Sequence, residues 1–243
     1  MNLSGNTILI TGGATGIGLA LAEAFLKLGN VVIAVGRSKQ NLKQAVAKFP
    51  GLIPLRCDVT DREARTAMIA WVTQNYPACN VLINNAGIQR APNFAHGEIN
   101  GAAIAAEIGT NLLAPILLGA EMKPLLETKP SAIINITSGL AFCPLALVPV
   151  YCATKAALHS FTISLRHQLR ATSIEVIEIA PPIVDTQLGK EHRVVRQGTV
   201  LMTPSQFAAE AMEGLAAGRP EILVDGAEHM RQSGDSMFSS MNP

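Results

Sequence analysis

The stretch that most constrains this chain runs from Thr7 to Val35. Thr7-Ile8-Leu9-Ile10 is a short aliphatic run without alternation, the pattern of a strand buried on both faces. It enters Thr11-Gly12-Gly13-Ala14-Thr15-Gly16-Ile17-Gly18, then a helical pattern over Leu19 to Leu28 that Gly29-Asn30 stops. Val31 to Val35 reads as a second strand and closes a βαβ unit of about thirty residues. Glycines between strand and helix let backbone N–H groups approach a pyrophosphate, and the helix N-terminus adds favourable charge. The spacing T-G-x-x-x-G-x-G differs from the general G-x-G-x-x-G fingerprint. Its place between a strand and a helix still points to a dinucleotide rather than to a turn without a ligand.

The end of the second strand decides the ribose. An acidic residue there would bind a 2′-hydroxyl, whereas a nearby arginine suits a 2′-phosphate. The chain has Gly36-Arg37-Ser38-Lys39 and no carboxylate. NADP(H) is therefore favoured and NAD(H) remains possible. The other reading of Arg37 is a guanidinium stacked on adenine.

The remainder continues the β/α alternation. A helix is expected over Lys39 to Lys48, a third strand over Leu52 to Arg56, and a helix over Arg62 to Asn75 capped by Asp61. Asp58 stands at a strand end, where open α/β sheets bind ligands, and can accept from an adenine amino group. A fourth strand ends in Asn84-Asn85-Ala86-Gly87, with Asn84 and Asn85 placed to tie neighbouring strands together. A long helix is expected over Ala102 to Leu118, with Asn111 inside it in need of partners. The fifth strand leads into Ser138, and the helix opened by Tyr151 ends near Ala171. In the sixth strand the glutamates alternate with Val and Ile, which suggests one less dry face. A helix from Thr203 to Leu215 and a short strand at Glu221 to Val224 complete the pattern. The apolar residues Met237, Phe238 and Met241 suggest that the C-terminal tail docks.

Composition narrows the function. Of 243 residues 49% are apolar and 15% charged, with a net charge of +1, so a large core is available and no basic stripe invites nucleic acid. Cys57, Cys79, Cys143 and Cys152 show no metal or disulfide spacing, and no metal site is expected. Buried thiols in a reducing compartment, no signal peptide and no clean membrane span lead to the expectation of a cytoplasmic protein.

Tyr151 and Lys155 lie four apart, on one helix face. An ammonium near a phenol favours the phenolate, and a tyrosine that titrates near ~10 could then exchange protons closer to neutrality. A serine hydroxyl aimed at the same point, Ser138, can polarise a carbonyl or an alcohol.

Together the glycine turn, Asp58, Asn85-Ala86-Gly87, Asn111, Ser138 and Tyr151/Lys155 occur in an order that resembles the short-chain dehydrogenase/reductase family over essentially the whole chain. Tyr151 to Leu169, Val176 to Leu188 and the tail ending Met241-Asn242 resemble its DltE-like branch. The resemblance implies an α/β fold: one Rossmann-type doubly wound domain over residues 1–243, with a mostly seven-stranded parallel sheet and helices on both faces. It implies Ser138 orienting the substrate oxygen, Tyr151 as general acid/base, Lys155 lowering the tyrosine pKa and binding ribose, and Asn111 anchoring a relay water. Gly12, Thr15, Gly16, Ile17 and Gly18 would cradle the pyrophosphate. Asp58 and Val59 would meet adenine, Asn85, Ala86 and Gly87 the neighbouring ribose, and Pro181, Val184 and Thr186 the carboxamide side. Pro181-Pro182 stands where the family usually has Pro-Gly, so the backbone there is open to a different path.

Leu140, Phe142, Cys143 and Leu145 would line the substrate pocket with Ser138 and Tyr151. The set is apolar or small and suits a neutral ketone or secondary alcohol. A substrate lid is expected at 186–203, where Lys190, His192 and Arg193 could change that preference. The small residues Ala156, Ala157, Ser160 and Ser164 favour close helix packing in a homodimer or homotetramer. Reversible hydride transfer with NADP(H) is the leading reading. A dinucleotide-binding regulator without turnover is the alternative, disfavoured because such a protein needs none of the Ser/Tyr/Lys/Asn set.

Overall fold

The computed structural model describes residues 1–97, 99–193 and 200–242. Seven parallel strands form one sheet: β1 (Thr7–Thr11), β2 (Val31–Gly36), β3 (Leu52–Arg56), β4 (Cys79–Asn84), β5 (Ser131–Ile136), β6 (Ile174–Ala180) and β7 (Glu221–Leu223). Their spatial order is β3-β2-β1-β4-β5-β6-β7. The chain winds outward from β1 to β3, returns beside β1 as β4, and then winds outward the other way. The reversal between β1 and β4 is where a doubly wound sheet opens a crevice at its strand ends. The Rossmann-type expectation holds in strand number, direction and layering.

Two apolar layers explain the uninterrupted aliphatic strands. One face packs Ile8, Ile10, Val32, Ile83 and Ile134 under α1 (Gly16–Lys27), α2 (Lys39–Lys48) and α7 (Pro204–Ala216). The other packs Leu9, Ile33, Leu82 and Ile133 under α3 (Arg62–Asn75) and α5 (Ala114–Leu126). Side chains of alternate strand residues thus reach opposite faces, and both faces are dry.

The helix expected over Ala102 to Leu118 is longer and broken in type. It comprises α4 (Gly101–Ile108), a π-helical turn at Gly109–Leu113, and α5. The π turn closes with Ala114 N donating to Gly109 O, five residues back, and Pro115 follows it in the first turn of α5. By length and composition Gly101–Leu126 could cross a membrane, and 33% of its most apolar window is buried in this chain. Here α5 packs on β4 and β5, while Ile108 and Leu113 face outward.

Smaller differences lie at element ends. The helix expected to open at Tyr151 begins two residues earlier, as α6 (Pro149–Leu169), because Pro149 suits a first helical turn. Asp61 caps α3 by accepting from Ala64 N at 2.7 Å, as expected. Thr203 and Gln206 form a reciprocal capping box on α7. The tail docks, beginning with α8 (Ala227–Ser233) against the 3₁₀ turn Gly139–Ala141. Of the expected lid, residues 194–199 lie outside the described residues. Its ends are tied together by a Val184–Met202 bridge and by Asp185 N donating to Met202 O at 2.8 Å.

One expectation about β6 fails. Its glutamates do not share a face: Glu175 is exposed and Glu178 is 0% exposed. They are three residues apart, and a strand places such residues on opposite sides.

Candidate active site

The glycine turn is shaped by close packing against the end of β4. Gly12 has φ +65°, and a Cβ there would lie 2.9 Å from Asn85 Nδ2 and 3.0 Å from Ala86 Cα. A Cβ on Gly18 would overlap the Gly12 carbonyl oxygen and Asn85 Nδ2. Asn85 Nδ2 donates to Thr11 O at 2.9 Å, and Thr11 Oγ1 accepts from the N–H groups of Asn85 and Ala86, each at 3.0 Å. Asn84 Nδ2 donates to Asn135 Oδ1 at 2.8 Å, so both asparagines tie strands together as expected. At the start of α1, Thr15 makes no capping bond and the first turn carries no acidic residue. Its leading N–H groups therefore remain available to an anion.

Beside this turn lies a cleft of about 390 Å³, lined by Gly12, Thr15, Gly36, Arg37, Asp58, Val59, Ala86 and Gly87 among others. Residues named from four separate stretches of sequence thus share one wall. Arg37 Nη1 lies 3.8 Å from Asp58 Oδ2, and both groups are largely exposed. Burial alone would raise the Asp58 carboxyl, but the Thr60 N–H and hydroxyl, with Arg37, hold it below its ordinary value. Ser38 caps α2 by accepting from Asn41 N at 3.2 Å, so the positive end of that helix also faces the cleft. Gly16 stands close to Thr186: a Cβ there would lie 3.2 Å from the threonine methyl. Pro181 accepts from Gly139 N at 2.9 Å and Val184 is buried, so the Pro-Pro turn still follows the sheet edge.

At Gly87 the second half of the site begins. A Cβ there would lie 3.5 Å from Asn111 Oδ1 and 3.9 Å from Lys155 Nζ, which brings three sequence-distant positions together. Asn111 is fully buried and satisfied: it accepts from Ile88 N at 2.9 Å and donates to Ile88 O at 2.8 Å and Thr154 Oγ1 at 3.2 Å. Lys155, 4% exposed, donates to Ile136 O at 2.8 Å, and its Nζ lies 5.6 Å from the centroid of the Tyr151 ring. Ser138 Oγ accepts from Leu140 N at 3.1 Å.

The electrostatics correct one expectation. Burial pushes the Tyr151 phenol above its ordinary value, a hydrogen bond with Ser138 works against that, and Cys152 and Glu107 add to the rise. The depression expected from Lys155 is not present in this arrangement. Its ammonium is held by a backbone carbonyl, and burial pulls its own pKa down to about 8.

On the substrate side, Leu140, Leu145, Ala91 and Leu188 pack around Val148, Tyr151 and Cys152. Leu140 and Leu145 were expected there. The other two residues expected there, Phe142 and Cys143, have neighbours from farther along the chain. Cys143 is fully buried with Sγ 3.2 Å from Met241 Sδ, and the Phe142 ring packs edge-on against His159 with Arg231 over its face. Arg193 turns back onto its own loop, donating to Thr186 O and Leu188 O. His192 Nε2 faces Gly189 and is buried without a partner among the described residues. The thiols of Cys57 and Cys79 are pushed up to about 11 by burial, as inert buried thiols are.

The sequence model of the short chain dehydrogenase family matches residues 6–196. A Bacillus subtilis (strain 168) protein, "Uncharacterized oxidoreductase DltE", is 46% identical over 249 residues, spanning 100% of this chain and 98% of that protein.

This chain is a short-chain dehydrogenase/reductase of the DltE-like branch.

An L-xylulose reductase of Caenorhabditis elegans is 33% identical over 191 residues, 76% of this chain and 74% of that protein. Among solved structures, a short-chain dehydrogenase of Burkholderia cenocepacia in complex with NADP superposes with TM-score 0.82 at 26% identity, covering 96% of this chain and 94% of that one. One from Sphingobium yanoikuyae in complex with NADPH gives TM-score 0.80 at 25% identity, covering 89% and 87%. The DltE-like dehydrogenase is thus an oxidoreductase with its family's fold.

Several side chains around the site carried no separable signal in sequence. Glu107, one helical turn before Asn111, is fully buried; burial raises its pKa, and Oε2 has no partner among the described residues. The only hint was an acidic residue in an otherwise apolar run. His159, Glu178 and Glu221 place their donor atoms within 4.8 Å of one another, a spacing a cation can use. Here they are engaged by Thr137 and Arg231 instead. Ala91 and Leu188 sit in irregular stretches, where no periodicity marks a wall residue.

Proposed function

We propose that this dehydrogenase carries out reversible reduction of a neutral ketone to a secondary alcohol, with NADP(H) as cofactor and Tyr151 as the proton-transferring group. The observation that carries the reading is the meeting of Gly87, Asn111 and Lys155 at the inner end of the glycine-lined cleft. The cleft fits a dinucleotide: Gly12 and Gly18 have no room for a Cβ, and the first turn of α1 is left uncapped. Gly12, Thr15, Gly16, Ile17 and Gly18 would hold the pyrophosphate. Asp58 and Val59 would hold adenine, Asn85 to Gly87 with Lys155 the nicotinamide ribose, and Pro181, Val184 and Thr186 the carboxamide side. Arg37 and the N-terminus of α2 support a 2′-phosphate, because both are positive and no carboxylate stands at the end of β2.

When bound, NADP(H) supplies or accepts the hydride. Ser138 orients and polarises the substrate oxygen. Tyr151 gives its phenolic proton to that oxygen in reduction and takes it back in oxidation. Burial raises the phenol above its ordinary value. Lys155 brings positive charge to the site, and Asn111 holds the turn at Ile88 beside it. Leu140, Leu145, Ala91 and Leu188 exclude water from one side and suit an uncharged substrate. The exposed Ile108 and Leu113, with Ile163 of α6, form apolar outer faces suited to pairing two copies into a dimer or tetramer.

The test is oxidation of NADPH against a panel of uncharged ketones by wild type and Tyr151→Phe. Turnover in the wild type and its loss in the variant is the expected result. Equal rates in the two proteins would overturn the role of Tyr151, and no turnover of any carbonyl or alcohol would overturn the enzymatic reading.

A further inference from the structure

β6 buries Glu178 completely, and a carboxylate inside a protein is costly unless it is partnered. Its partners are specific side chains. Thr137 Oγ1 donates to Oε1 at 2.7 Å, and His159 Nδ1 lies 2.8 Å from Oε2 and 3.0 Å from Oε1. Since a carboxylate only accepts, Nδ1 donates.

The positions of these partners matter. Ile136, Thr137 and Ser138 are consecutive at the end of β5. The first accepts from Lys155, the second donates to Glu178, and the third is the candidate catalytic serine. On α6, Tyr151, Lys155 and His159 follow one another at four-residue steps along one face. Glu178 is therefore bound to the neighbour of Ser138 on one side and to the residue one turn beyond Lys155 on the other. Among the described residues Lys155 has only a carbonyl dipole as a hydrogen-bond partner, and its burial opposes its charge.

We infer that Glu178 is a positioning residue for Lys155, whose buried negative charge keeps the Lys155 ammonium ionised while its ties to Thr137 and His159 hold β5 and α6 in register. The inference rests on the role proposed above for Lys155. The Coulombic effect of Glu178 on Lys155 has the required sign. The other charged groups around the pair are Glu221 on β7, 4.0 Å from His159 Nδ1, and Arg231 on α8, which pairs with Glu221 at 3.5 Å. Glu107 approaches from α4 on the Tyr151 side.

The test is Glu178→Gln, nearly isosteric and uncharged. The Lys155 amine is titrated by nitrogen NMR of the full chain, with and without NADP, its signal assigned by its loss in Lys155→Met. The expected result is a downward displacement of about one pH unit or more. The alkaline limb of the pH–rate profile moves down with it. Glu178→Asp withdraws the charge by one methylene and gives a smaller displacement in the same direction, which serves if the glutamine variant does not fold. An unchanged Lys155 titration in the variants that fold overturns the inference and leaves Glu178 a structural ion-pair partner. A displaced titration in a protein that turns over no substrate upholds the electrostatic link and overturns the catalytic reading instead.

Discussion

The half proposed to hold the cofactor and the half proposed to hold the substrate are built by different means. From β1 to β4 the wall is backbone and small residues, packed so closely that Gly12 and Gly18 leave no space for a Cβ. From β5 onward the site is made of side chains, brought from α6, Leu140, Leu145 and Leu188, with the tail braced against the 143–146 loop. The first half presents groups every residue possesses, in a geometry only glycine allows. The second acts through particular side chains whose chemistry depends on burial. Substitutions in the first half should therefore damage binding or folding, and those in the second should change rate, pH dependence or substrate.

The largest effect is expected at Tyr151. Tyr151→Phe should lower turnover roughly 10²–10⁴-fold while NADPH affinity by fluorescence titration stays within a few-fold. Loss of NADPH affinity of the same size would break the division between the halves.

Lys155→Met sharpens it next, through stability. The Lys155 pKa is near 8 when folded and 10.5 ordinarily, so between those values the unfolded chain binds the proton more tightly. Stability from this group is lowest below pH 8 and is gained as pH rises toward 10.5. Denaturant unfolding of the cofactor-free protein should show wild type gaining roughly 2 kcal/mol on Lys155→Met from pH 8 to 10. A gap that does not change with pH would mean that the ammonium is not buried as described.

Gly18→Ala forces a Cβ into the Gly12 carbonyl and the Asn85 amide, and should cost about 1–3 kcal/mol in unfolding free energy with a matching loss of NADPH binding. Full NADPH affinity in that variant would show the turn to be looser than its packing implies.

Arg37→Asp should lower the preference for NADPH over NADH by about tenfold or more, measured as a ratio of kcat/KM values, which removes the contribution of general damage. The smallest effect is expected at Asn242, whose side chain accepts from Ala146 N at 2.6 Å and donates to Pro144 O at 3.2 Å. Asn242→Ala should raise KM for the ketone by a few-fold and leave kcat and NADPH affinity near wild type. A change in NADPH affinity there would tie the tail to the cofactor half.

Much of this was legible without coordinates, and the reason is locality. The strand–glycine turn–helix signal, the Asp61 cap, the asparagine ties at 84 and 85, and the four-residue step from Tyr151 to Lys155 each depend on neighbours in sequence. What was not legible has a common physical origin as well. Phe142 and Cys143 follow Ser138 closely in sequence, whereas their neighbours His159, Arg231 and Met241 lie up to 98 residues away. The π turn at Asn111 was not legible, because Pro115 and Pro124 stand in the same helix and a proline alone does not say how a helix will adjust.

The sequence by itself determined the family, the succession of strands and helices along the chain and the candidate groups for the site, because a glycine turn and a helix step are short-range geometry. Only the tertiary structure decided which charges are dry. Glu175 and Glu178 look alike on β6, but one reaches solvent and the N-terminus while the other lies beneath α6. Tyr151 and Lys155 are four residues apart in any helix, but burial moves both pKa values, the phenol upward and the ammonium downward. Those shifts come from desolvation by elements far apart in the chain, which residue spacing does not encode.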